Sequence, residues 1–198
     1  MWFFIVILVA FAILVIVRMF HFYNLKKTVA EVEKIHATKL TVDDVMGKSL
    51  PPDPGAEADK TVAGIDANKN GIRDDVELAI FKEYPNSAKT RAVLLQYALA
   101  LQMEAVQTIV NKETVIATIQ EEDRADICIA DMLVPRKSPE SSRNYSDIEK
   151  IDRFTDFIKK IQINTSEREK FRTNFYEKIG SYNSLPNICD IDYLSLPN

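Results

Sequence analysis

The chain has 198 residues, a net charge of −4, only 5 glycines and a hydrophobic fraction of 46% that is concentrated before residue 24. That length suits one domain with an anchor rather than two domains. The absence of a basic patch interleaved with aromatics excludes the usual nucleic-acid partner, and scarce glycine excludes a turn-rich all-β fold, leaving an all-α architecture.

Residues 2–17 carry no polar side chain; Arg18 interrupts the run, and Met19, Phe20, Phe22 and Tyr23 continue it. At 1.5 Å per residue, residues 2–23 span about 32 Å, close to the hydrocarbon thickness of a membrane. The spacing predicts a transmembrane helix over residues 1–23, with the lipid bilayer as its partner. Trp2 and Tyr23 sit at the two interfaces, and Arg18 reaches for the headgroups. The other reading is a cleaved signal peptide. Against it, the small-x-small segment Ala10-Phe11-Ala12 lies inside the apolar run, and no basic side chain precedes that run. Arg18, Lys26 and Lys27 favour a cytoplasmic domain by the positive-inside rule.

Residues 24–60 read as a juxtamembrane helix and a proline-rich linker. Phe22, Leu25, Val29, Val32 and His36 recur at helical spacing. Thr41-Val42-Asp43-Asp44 can cap a short helix ending near Gly47. The run Leu50-Pro51-Pro52-Asp53-Pro54-Gly55 lacks backbone donors and disfavours helix. The helical domain proper is expected over residues 61–198.

Residues 66–77 carry chemistry. Oxygen side chains stand at the first, third, fifth, ninth and twelfth positions: Asp66, Asn68, Asn70, Asp74 and Glu77. Gly71 stands sixth, and the Ile72 carbonyl, seventh, adds another oxygen. Calcium takes about six to eight such ligands, and glycine permits the sharp turn around the ion. Lys69 and Arg73 lie within the loop and weaken its attraction for a cation. Without metal, the same residues make an Asn-Gly turn followed by an acid-capped helix.

This loop resembles those of EF-hands, and more closely the Asp-x-Asp-x-Asp-Gly loops of thrombospondin type-3 and related bacterial repeats. The resemblance implies calcium as the bound ion, with Asp66, Asn68, Asn70, Asp74 and Glu77 as side-chain ligands. Two features depart from an EF-hand: Arg73 takes the hydrophobic eighth position, and Pro51 to Gly55 replace the entering helix. The stretch from Pro51 to Tyr97 is also similar to uncharacterised exported bacterial proteins, which implies no activity.

Helices follow the loop. One is expected over residues 74–83. The next, capped by Asn86 or Ser87, is apolar on nearly every side as far as Val110, as befits the centre of a bundle. Gln96, Gln102, Glu104 and Gln107 make it a poor membrane span. A third covers residues 113–132, with Glu121, Glu122 and Asp123 expected in solvent. After a polar loop at residues 136–143, capping boxes of Ser146 with Glu149 and Ser166 with Glu169 open two more helices. The first buries Ile148, Ile151, Phe154, Ile158 and Ile161; the second buries Phe171, Phe175, Ile179 and Tyr182. The tail after Pro186 has no period.

Cys128 and Cys189 are the only cysteines. They form a disulfide if the domain is exported, or remain buried thiols otherwise. Both histidines, His21 and His36, lie beside the membrane segment, which excludes a histidine-dependent triad within the domain. The calcium loop and the cysteine pair outweigh the charge bias. The sequence therefore reads as an extracytoplasmic, membrane-anchored domain of the cell envelope, a binding or scaffolding protein and not an enzyme. The alternatives are an envelope enzyme using surface carboxylates such as Glu121 and Glu122, and a cytoplasm-facing protein without metal.

Overall fold

The computed structural model describes residues 2–136, 138 and 141–198. Of the expected polar loop at residues 136–143, Lys137, Pro139 and Glu140 lie outside the described residues, as does Met1 of the expected span. The described residues form α-helices and two short 3-10 turns, with no strand: α1 Trp2–Ala37, α2 Val42–Val45, α3 Asp74–Glu83, α4 Ala88–Val106, α5 Lys112–Leu133, α6 Tyr145–Gln162 and α7 Ser166–Tyr176. The all-α expectation holds.

α1 is unbroken because no glycine or proline interrupts it. It is the one described helix long and apolar enough to cross a membrane. Its far end packs on α5 through Thr28 and Ile35, with Val32 half-buried between them. The expected stripe runs through Phe22, Leu25 and Val29, yet these are exposed. α5 covers the neighbouring face, so the packed spacing is 28, 32, 35.

α4 is the centre of the bundle. It contacts α2, α3, α5, α6 and α7, and Ala92 through Glu104 are all buried. It stops at Val106 rather than Val110. The β-branched run Thr108-Ile109-Val110 loses side-chain freedom in a helix, and Asn111 turns outward to cap α5, accepting from the Thr114 backbone N–H. The two later caps also differ from expectation. Asn144 with Asp147 starts α6, two residues before Ser146, and Thr165 starts α7 one residue before Ser166. In each case a neighbouring cap-forming side chain reaches the free N–H groups first. α7 ends at Tyr176, so Ile179 and Tyr182 lie beyond it, and Phe171 and Ile148 are exposed.

The hydrophobic core reaches back past the proline-rich segment to Val45, Leu40 and Ile35. Buried arginines hold the irregular segments to the helices. Arg91 donates to the carbonyls of Val45, Tyr84 and Pro85. Arg168 donates to those of Ala58, Thr61 and Val62. Each guanidinium offers five donors in a fixed fork, which suits one side chain to several carbonyls.

The tail after Pro186 is fastened to α5 and α4. Cys128 and Cys189 are bonded, with Cα atoms 5.3 Å apart. Gln96 donates to the Ile188 carbonyl and accepts from the Asp190 N–H, both at 2.9 Å.

Candidate metal centre

The loop at residues 66–77 closes on itself through its own side chains. The Asp66 carboxylate accepts from the backbone N–H groups of Asn70 and Gly71, at 3.2 and 2.9 Å. Asn68 Oδ1 accepts from Asn70 N–H, and Asn70 Oδ1 from Ile72 N–H. These successive turns wrap the chain around a point. At its far side the Asp74 N–H donates to the Ile65 carbonyl, and both Asp74 carboxylate oxygens accept from Ala67 N–H.

Backbone shape explains Gly71. Its φ is +86°, and a side chain there would come within 2.7 Å of Leu99 Cδ1. Lys69 also has positive φ, at 60°, the only described non-glycine residue to do so. That conformation costs of order 1 kcal/mol or more and persists because the surrounding turns fix it.

Glu77 is only 1% exposed. Its Oε2 accepts a 3.0 Å hydrogen bond from Asn68 Nδ2, which also donates to the Ser49 carbonyl. No described cation forms a salt bridge with Glu77. Burial pushes its carboxyl up to about 7; the Asn68 hydrogen bond opposes this, and repulsion from Asp44 and Asp74 adds to it. Burial likewise raises Asp74, against its bond to Ala67. Asn70 Nδ2 is buried without a hydrogen-bond partner.

Arg73 does not stay with the loop. Its side chain is fully buried, crosses Gly64 and donates to the carbonyls of Ile161 and Gln162 at the end of α6, while gripping Asp75 at 2.6 and 2.8 Å. The loop therefore loses one of the two cations expected beside it. Outside the twelve residues, Asp44 and Ser49 join Asn68, Lys69 and Asn70 around a cleft of about 480 Å³. Asp44 lies far away in sequence, so the loop spacing alone gave no signal for it.

No three His, Cys, Asp or Glu side chains converge as a ligand group among the described residues. The loop's oxygens come instead from carboxylates, amides and a carbonyl together. Oxygens that already accept one N–H keep further lone pairs.

Of the other acids expected in solvent, Glu121 is buried, and Glu122 and Asp123 are half-buried. Glu121 accepts from His36 at 2.8 Å, from Lys39 at 2.7 Å and from Arg124. Arg124 also grips Asp190 at 2.6 Å and donates to the Asn187 carbonyl. Glu122 accepts from Arg172 at 2.7 Å and from the Tyr176 hydroxyl. Arg172 lies 3.6 Å from Glu104, a buried acid of α4. A charge inside a helix apolar on all sides was the available signal for that cluster.

No family model, curated protein or solved structure matches the chain.

Proposed function

We propose that the protein is a membrane-anchored binding or scaffolding domain on the extracytoplasmic side, with calcium as a structural ion in the loop at residues 66–77. The observation that carries the calcium reading is Glu77: a sealed carboxylate beside two loop amides, with no salt-bridge partner among the described residues. A divalent ion supplies the opposing charge. Asp66, Asn68, Asn70, Asp74, Glu77 and the Ile72 carbonyl are the residues to hold it. Two amide ligands attract a cation less than carboxylates do, so the affinity is on the order of 10⁻⁴ to 10⁻³ M, the range of extracellular modules. The Cys128–Cys189 bond supports the same compartment, since such bonds persist in oxidising surroundings.

The test uses the full chain, because Ile35, Leu40 and Val45 belong to the core. Calcium at tenfold its dissociation constant stabilises by about 1.4 kcal/mol, a rise of about 3–6 °C in melting temperature. Identical melting in calcium and in chelator rejects the ion and leaves the Asn-Gly turn. A phosphatase fused after Asn198 reports the side of the membrane, and its inactivity rejects the compartment.

A further inference from the structure

We infer that the turn between α4 and α5, residues 106–112, rests on the lipid headgroups of the membrane that α1 crosses, with Lys112 meeting anionic phosphate. This rests on the reading of α1 as a retained span.

Chain geometry sets the height. Asn111 Nδ2 donates to Thr28 Oγ1 at 2.7 Å, and His36 meets Glu121 at 2.8 Å. Contacts rise along both helices in the same order, so α5 runs parallel to α1 and begins at its membrane end. α4 runs back along α5 and descends to that end, and the connection between them is the tip of the domain. Thr28 lies five residues beyond Tyr23 on an unbroken helix, about 7.5 Å along the axis. The headgroup layer of one leaflet is roughly 5–8 Å thick. Asn111 therefore stands at the outer edge of that layer.

The tip has the matching chemistry. Val106 is 46% exposed, Thr108 is exposed, and Ile109 and Val110 are half-buried. No acid occurs between Glu104 and Glu113. Lys26 and Lys27 of α1 flank the tip at the same level, and Lys112 is exposed on it. None of the three forms a salt bridge among the described residues. The Lys112 side chain lies across Gly180, where a Cβ would come within 2.0 Å of its Cε. Apolar side chains beside unpaired lysines suit an anionic interface. A second copy would bring lysines against lysines, which disfavours it as the occupant.

The experiment places a bimane label on the full chain in nanodiscs of anionic lipid, with the native cysteines bonded. Positions are Val106→Cys at the tip, Asn86→Cys before the opposite end of α4, and Leu14→Cys within the span. Lipids carrying a nitroxide on the headgroup should quench Val106 severalfold more than Asn86, and lipids with an acyl-chain nitroxide should quench Leu14. Adding Lys112→Glu should lower quenching at Val106 and leave Leu14 unchanged. Equal quenching at Val106 and Asn86, with Leu14 quenched, overturns the docking but keeps the span. An unquenched Leu14 removes both. Quenching at Val106 that ignores Lys112→Glu rejects the phosphate contact. Shielding of Val106 that appears only with two copies per disc assigns the face to a second copy and overturns the inference.

Discussion

Glu77 and Glu121 are both helical glutamates almost sealed from water, yet their surroundings push them in opposite directions. At Glu121 burial raises the carboxyl pKa, but hydrogen bonds from His36, Lys39 and Arg124 outweigh it and hold the group below its ordinary range. At Glu77 burial has only the loop amides against it, and the group rises to about 7. One site carries its own cations. The other presents oxygens around an unneutralised acid. The difference teaches that a buried acid with full partners is part of the architecture, while one without them asks for a proton or an ion from outside.

The largest test of this contrast removes the internal cation. Arg124→Met leaves Glu121 and Asp190 buried without the guanidinium they share, and breaking such a pair costs ~3–5 kcal/mol. The urea midpoint should fall accordingly. A loss under about 1 kcal/mol would mean that Lys39 and His36 suffice alone, and the contrast would fail.

Glu77 gives a second test through pH. Its folded pKa lies above the unfolded value of 4.5, so the folded state binds more protons across the interval. In chelator, the contribution of Glu77 to stability is therefore full below about pH 4.5 and is lost as pH rises to about 7. Calcium, which takes the charged form, should flatten that slope. Glu77→Gln should flatten it as well while abolishing the calcium response. A variant that keeps the full calcium response removes Glu77 from the ligand set.

The smallest effect belongs to Glu104. Burial raises its carboxyl well above the ordinary range; Arg172 opposes this, and Glu122 reinforces it. Below about pH 4.5, where the carboxyl is protonated in the folded and the unfolded chain alike, Glu104→Gln should change stability by less than about 1 kcal/mol. It should, however, remove the decline that the native protein shows as pH rises through the raised pKa. Calorimetry on both proteins across that range decides, and a native protein without the decline refutes the assignment.

Much of the fold was legible because local chemistry decides it. The Asp74–Glu83 helix, the buried character of α4 and the long apolar segment all follow from periodicity and end signals. Caps slipped by one or two residues where two competent side chains stand close together, as with Asn144 and Ser146. What stayed hidden were the long-range partners. Arg73, Arg91, Arg124 and Arg168 look in sequence like solvent-facing charges, yet each is buried on carbonyls or acids distant in sequence. Glu121 of α5 follows the same rule: its charge in the sequence carries no sign of Lys39, His36 and Arg124 around it. In the loop the oxygen spacing was plain, but Asp44 and the departure of Arg73 toward α6 depend on tertiary packing.

The continuity of α1 has a mechanical consequence. Ala37 ends the helix fourteen residues after Tyr23, about 21 Å further along a rigid rod. The domain grips the upper part of that rod and has no flexible tether on which to reorient. A tilt of about 20°, the average for membrane helices, displaces that end sideways by roughly 7 Å. With α1 spanning a bilayer, as proposed, any tilt that matches it to the bilayer thickness is thereby converted into lateral reach of the domain, as a lever converts angle into travel.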